Sequence, residues 1–492
     1  MVSAVASLAV VSTASAQGLS VTPSLTITET LSDNGSLRST SRQFDSVTTI
    51  SPAVSLSSRS GSLQGSLNYS ANGTLHARDS SLNSVYHTLS TAGNLKLFDR
   101  LLDGRGGVDV NASASRQGIS AFGPQSGDSS LDNANQAQVF SYSLSPYLRG
   151  RLLGEVSYQV RLRYSASLSG ASEVGDSSSL DSSIGLSGRF GRLGWGVSLT
   201  RATQIPDEGF RTSNTRLGAN LGFSPDVDWQ ISLRGGAETD NVTQSTRNTI
   251  NWGAGFVWLP TPRTNVRFDM DRRFFGRTHS VSIGHRMARF SLSASDSQSL
   301  QQGGAVGRGL VSLYDIFFEQ FASIEPDPAK RDILVRNFMA ANGLDAGAKV
   351  VVDGFLTSAI SVSRRRNLSV AYQGMRSTAS LAYFRSRSTR VVDNGGLDQG
   401  DLNNGAVTQQ GLSVTLSYRL TTDSSVVVTL SGQRTPGVGL QTGTESRSIV
   451  ATWGKPLGRN TNFSLSIRHS RFSSDTNPYN ESAVIGSVRM RF

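Results

Sequence analysis

Residues 482–492 read SAVIGSVRMRF. In an extended chain successive side chains point to opposite faces, so Val484, Gly486, Val488, Met490 and Phe492 share one face. Ser487, Arg489 and Arg491 share the other, and Ile485 alone breaks its polarity. A strand that is apolar on one side and charged on the other suits a wall between hydrocarbon and water. If the wall is real, the preceding strands must repeat the pattern.

They do. Leu63, Gly65, Leu67, Tyr69, Ala71, Gly73 and Leu75 alternate with Ser62, Gln64, Ser66, Asn68, Ser70 and Asn72, after a tight turn at Ser58–Gly61. The hairpin recurs with short turns near Arg149–Leu152, Phe190–Leu193, Pro260–Arg263, Gly374–Arg376 and Lys455–Asn460. Longer polar connections such as Arg116–Ala137, Val392–Val407 and Ser473–Glu481 alternate with them. Tight turns on one side and long loops on the other belong to outer-membrane barrels. The expected fold is therefore all-β: a transmembrane antiparallel β-barrel of about 22 strands, within 18–24, an even number as bacterial barrels require. Arg364-Arg365-Arg366-Asn367 resembles a turn, but the phase of Ile360, Val362, Arg364, Arg366, Leu368, Val370 and Tyr372 continues through it, so one long strand is expected. Aromatic residues near the short turns, among them Phe98, Tyr147, Trp195, Trp229, Trp258 and Phe492, read as an interfacial girdle.

Composition agrees. The 492 residues include no cysteine and 50 glycines, with a mean hydropathy of -0.22. No window holds the roughly 18 consecutive apolar residues of a membrane helix, and alternating strands average out to a polar sequence. The lack of cysteine excludes disulfides and thiolate metal sites. A net charge of +11 could serve nucleic acid, but the arginines are scattered through strands and turns, so no nucleic-acid partner is expected. The segment Met1–Ala16, with Ala14-Ser15-Ala16 before Gln17, reads as the remnant of a secretory signal peptide lacking its basic start. The barrel is expected over residues 17–492.

From Val311 to Gly343 the period changes. Leu313, Ile316, Phe317, Gln320, Phe321 and Ile324 follow helical spacing; Pro326-Asp327-Pro328 interrupts, and Ile333, Leu334, Phe338 and Met339 supply a second apolar side. Asp327 suits an N-cap, Pro328 the first helical position and Gly343 the end. Two short helices inserted in one loop are expected at 311–343, with Phe317, Phe321 and Phe338 in the core of a plug or lid. Counting strands places the insert on the extracellular side.

Pro23-Ser24-Leu25-Thr26 with Ser32-Asp33-Asn34, Ser51-Pro52, Tyr314-Asp315-Ile316-Phe317, Pro326-Asp327-Pro328 with Arg331, and Asn342-Gly343-Leu344 carry a resemblance to the outer-membrane β-barrel proteins associated with the PEP-CTERM/exosortase system. The resemblance implies an outer-membrane location in bacteria that make exopolysaccharide. It implies no catalytic residue. The terminal strand is also similar to the signal read by the barrel-assembly machinery, with Val488, Met490 and Phe492 as its apolar positions.

No catalytic, metal or cofactor constellation stands out: His76, His87, His279, His285 and His469 are dispersed, and the serines are too many for any triad pattern to carry meaning. Two arginine groups remain. If the 374–376 turn centres between Met375 and Arg376, Arg364 opposes Arg387 and Arg366 opposes Arg385, all four on the lipid-facing phase near the outer headgroups. They are candidate contacts for lipopolysaccharide phosphates. Arg161, Arg163, Arg216, Arg234, Arg267, Arg289 and Arg468, with Arg489 and Arg491, point inward by phase. Such a lumen either favours anionic solutes and acidic glycans or is knitted shut by Arg–carboxylate pairs. The functions that follow are a passive channel or export conduit associated with polysaccharide, or a non-conducting barrel that docks surface polymer or a secretion-system protein.

Overall fold

The computed structural model describes residues 18–492, apart from 41, 60, 102–103, 127–130, 132–133, 153–154, 171–175, 208–209, 243–244, 313, 315–316, 319–320, 322–327, 342–348 and 392–399. The expected leader, Met1–Ala16, lies outside the described residues. Twenty-two strands run from β1 (Leu19–Ser32) to β22 (Tyr479–Arg491), each antiparallel to its sequence neighbours. The sheet closes on itself through β1 and β22, from Ser24 opposite Arg491 to Ser32 opposite Ala483. The terminal strand thus bonds to both β21 (Thr461–Ser473) and β1, which closes the ring. Closure is obligatory in lipid, where an unpaired backbone N–H or C=O finds no water.

Alternation sorts the side chains as the sequence implies. On β18 (Val407–Arg419) the exposed Leu412, Leu416 and Tyr418 face outward, while Ser413, Thr415 and Ser417 are buried toward the lumen. Trp229 and Trp258 pair across β11 (Trp229–Asp240) and β12 (Arg247–Thr261), with ring centroids 5.6 Å apart, on the outer girdle. Tyr147 departs from that expectation. On β6 (Gln136–Leu152) it shares the lumen phase with the fully buried Ser145, and its hydroxyl accepts a 2.8 Å hydrogen bond from Asn94 Nδ2. The polar partner on the wet face outweighs the interfacial preference of the ring. Nor is every outer connection long: β13 (Thr264–Arg273) and β14 (Gly276–Arg286) meet at Phe274-Phe275, with Gly276 at φ 123°.

β15 (Phe290–Ser312) and β16 (Lys349–Gln373) are much longer than their neighbours. β16 is a single strand through Arg364-Arg365-Arg366, as expected, and its register with β17 (Ser377–Arg390) places Arg364 opposite Arg387 and Arg366 opposite Arg385. Pairing with the wall ends at Gln298 on β15 and Ser361 on β16. Beyond those points the two strands pair with each other through register shifts at Gln302/Gly304 and Val306/Gly309. Bulges bend a ribbon, and Gly354, at φ 121°, adds a turn that a side chain would resist.

The insert itself differs from the expected helical hairpin. β15 runs on to Ser312, and one α-helix is described, α1 (Pro328–Ala341), with Pro328 at its start. Of the other expected helix, Tyr314, Phe317 and Phe318 are helical and the intervening residues lie outside the described set, as do Asp327 and Gly343. The buried side of α1 is corrected in part: Met339 is buried (1%) and Phe338 packs beside it as expected, but Val335 (0%) takes the place of Ile333 and Leu334, which are 40% and 37% exposed. Both stripes satisfy helical spacing; the aromatic residues at 314–321 select the one with Val335.

Leu430 sits outward on β19 (Ser425–Thr435), amid Val414, Leu381 and Ile449 on adjoining strands. Leu430→Arg is expected to destabilise the refolded barrel by about 2–4 kcal/mol, the cost of a lipid-facing cation near the bilayer midplane, read as a lowered urea midpoint in phospholipid vesicles.

Candidate functional site

The lumen and its outer mouth carry the chemistry of this barrel, and the lumen is stapled by arginine. Arg161 on β7 (Val156–Ser169) donates through Nη1 to Asp109 Oδ2 at 2.7 Å, reaching across β6 to β5 (Gly104–Gly118). Asn94 Nδ2 donates to the same carboxylate at 2.7 Å. On β11, Arg234 donates to Asp269 and Asp271, each at 2.9 Å, reaching across β12 to β13. The strand between offers Gly253 and Gly255: an added Cβ would stand 2.0 Å from Asp271 Oδ1 and 2.7 Å from Asp269 Oδ1. Glycine there makes room for the bridge. Arg273 donates to Glu238 Oε1 at 2.5 Å, again across β12, and Asn214 Nδ2 donates to the same oxygen at 2.8 Å. Near the barrel seam Arg468 holds Glu481 in a bidentate pair, at 2.6 and 3.0 Å, and Ser32 of β1 donates to that carboxylate at 3.0 Å.

Three of the inward arginines expected from phase are neutralised by carboxylates. Arg161, Arg234 and Arg468 lie in ion pairs, and Arg163 donates to Ser145 at 3.2 Å. Arg216 and Arg267 keep the lumen phase, beside Glu238 and Asp269 in register terms. Arg289 does not belong with them. It sits exposed in the turn between β14 and β15, outside the strand phase that made it a lumen residue. Arg273 was not among the expected inward group; its neighbour Phe274 begins the tight outer turn, where alternation stops being a guide.

The mouth is capped. Beyond the wall the β15–β16 ribbon reaches residues on the far side of the barrel: Leu356 N–H donates to Ile119 O at 3.2 Å, beyond the end of β5, eleven strands away in either direction. Leu356 is buried with Ala137 and Val139, and Phe355 with Ala121, Leu402 and Val407. The β5–β6 loop joins the cap: Asp401, after β17, accepts from Ser120 Oγ at 2.8 Å and Ala121 N–H at 2.6 Å. Leu131 of the same loop is buried with Leu37, Val47, Phe472 and Tyr479. Tyr479 Oη donates to Gln125 O at 2.6 Å.

Below the cap lies the insert. Phe317, Phe321, Val335 and Met339 form one buried cluster with Val427 of β19, and Tyr314, Phe318 and Phe338 pack around it. Phe338 meets Phe317 and Phe321 at ring-centroid distances of 4.9 and 5.2 Å. Tyr314 donates to Asp332, which also accepts from Arg336 at 2.8 Å, tying the first segment to α1. Val427 is on the lumen phase and only two residues from the short-turn start of β19. The aromatic cluster therefore rests inside the barrel, in the half nearest the short turns. All three expected insert residues, Phe317, Phe321 and Phe338, come together there.

No family model matches the chain, and no curated protein matches it. Solved structures similar to it include the FrpB iron transporter from Neisseria meningitidis (11% identity, 96% of this chain and 81% of that one, TM-score 0.48). Others are the ferric-catecholate import receptor Fiu from Escherichia coli K12 in its closed form (11%, 95% and 81%, TM-score 0.49) and the siderophore receptor PirA from Pseudomonas aeruginosa (10%, 96% and 80%, TM-score 0.45). At this level of likeness their ligands say nothing about this chain. Its own closed wall, apolar outside and polar within, makes it an outer-membrane β-barrel that faces membrane lipid.

Arg468 and Glu481 are 9% and 1% exposed at their side chains. Glu481→Ala removes the carboxylate that holds a buried guanidinium in a bidentate pair and is expected to cost about 3–5 kcal/mol, whereas the double change R468M/E481L is expected to cost less than E481A alone. Urea midpoints of the three folded barrels provide the comparison.

Proposed function

We propose that this protein is a gated outer-membrane conduit whose resting state is closed twice, by the loop cap over the mouth and by the aromatic insert in the lumen. The observation that carries the reading is the burial of Val427 against Phe317, Phe321, Val335 and Met339, because it anchors the insert to the inner wall and not above the rim. The resemblance in the insert supports acidic surface polysaccharide of exopolysaccharide-producing bacteria as the cargo class, handled with a PEP-CTERM-type surface system. The inward guanidinium groups suit such a polyanion, although carboxylates already hold Arg161, Arg234 and Arg468. Val488, Met490 and Phe492 are assigned to recognition by the barrel-assembly machinery.

The ion pairs across the lumen also favour a second reading, a non-conducting barrel whose loops dock polymer or a secretion-system protein. Planar-bilayer conductance separates the two. The intact refolded protein is expected to conduct little, and a form with residues 313–348 replaced by a short Gly-Ser linker is expected to pass steady, weakly anion-selective current. Silence from both, with each barrel still heat-modifiable on gels, would sink the conduit reading and leave docking.

A further inference from the structure

The outer wall carries a second arrangement that a conduit does not need. In paired register, Asp296, Arg366, Arg385, Gln410, Arg434 and Glu445 follow one another across β15 to β20 (Thr444–Pro456), all on the lipid-facing phase. Arg364 and Arg387 pair one position further from the short turns. Arg447 and Arg471 pair on β20 and β21. Counted from the short-turn end of its own strand, each of these arginines lies about seven to ten residues up, which at ~3.3 Å per residue and a tilt near 40° is about 18–25 Å. That is the top of an apolar band about 25 Å tall. Leu368, Tyr383 and Leu412 stand directly beneath the first part of the row, and Leu381, Val414, Leu430 and Ile449 beneath those.

The charges are not balanced. Asp296 holds Arg364 at 2.6 Å and Arg366 at 3.1 Å, with His279 at 3.1 Å, and Glu445 holds Arg447 at 2.5 Å. Among the described residues no carboxylate lies in ion-pair range of Arg385, Arg387, Arg434 or Arg471. Arg385 and Arg434 are two strands apart, about 10 Å, with the donor Gln410 between them. Their side chains can converge on one anion or hold two adjacent ones. Arg201 on β9 (Leu193–Pro206) is also outward-facing, but its paired neighbours are Ser182 and Thr215. Arg272 on β13 and Arg277 on β14 also pair on the outward face, at the same height and beside His279 and Asp296, so the cationic patch continues to β13 and its largest part lies on β16 to β21.

We propose that this sector, β16 to β21, binds the phosphates of the outer-leaflet glycolipid, lipopolysaccharide, with Arg385, Arg387, Arg434 and Arg471 as the free ligands and the Asp296 and Glu445 pairs fixing their arginine neighbours. A guanidinium gives a phosphate two parallel N–H donors. At the boundary of the hydrocarbon it meets that phosphate without entering the apolar band, and the acyl chains lie on the leucine rows below.

The full-length barrel, refolded in detergent, is incubated with bisphosphorylated lipid A, washed, and assayed for bound lipid; dephosphorylated lipid A is the parallel probe. The wild type is expected to retain at least ten-fold more of the bisphosphorylated form. The quadruple variant R385Q/R387Q/R434Q/R471Q is expected to lose that preference, whereas R201Q keeps it. Equal retention of the two lipids by the wild type overturns the proposal without any variant. So does full retention by a heat-modifiable quadruple variant, or an equal loss in R201Q.

Discussion

Backbone hydrogen bonding in a medium without water is the constraint on which the structure depends. A strand in hydrocarbon cannot leave its N–H and C=O groups unpaired, so twenty-two strands must close, and β22 must complete the ring against β1. Once the ring is closed, alternation does the rest. One face of every strand is committed to lipid and the other to the lumen, and a long aqueous interior is created that the chain must either leave open or fill.

This chain fills it in two ways. Arg161, Arg234 and Arg273 each reach across an intervening strand to a carboxylate, tying next-nearest strands together on the wet face. Gly253 and Gly255 are glycine because one such bridge passes over them. The second filling is the β15–β16 ribbon. Its bulges and Gly354 let it leave the wall, meet the β5–β6 loop of the opposite side at Ile119, where Asp401 from beyond β17 also binds, and deliver a small aromatic core to Val427. The cap and the core are parts of one excursion, so release of one bears on the other.

Much of this was legible in the sequence because strand period and turn spacing are local. The register of Arg364 with Arg387 and of Arg366 with Arg385 followed from where one short turn centres, and the unbroken phase through Arg364–Asn367 showed a strand where composition suggested a turn. What escaped was non-local or degenerate. The ribbon's contact with the β5–β6 loop leaves no trace in its own periodicity. The choice of Val335 over Ile333 and Leu334 depends on which stripe the 314–321 aromatics meet. Tyr147 looked interfacial because its place near a turn was visible and its partner Asn94 was not. Arg289 looked inward because phase was carried past the end of a strand.

Closure of the lumen depends on the insert resting inside the barrel against β19. The chain has no cysteine, so introduced pairs report without interference. Val427→Cys would be combined in turn with Phe317→Cys, Phe321→Cys, Val335→Cys and Met339→Cys, and the folded protein oxidised in outer-membrane vesicles. At least one pair is predicted to form a disulfide, seen as a shift on non-reducing gels. If none forms while every barrel remains folded, the insert is not held against that wall.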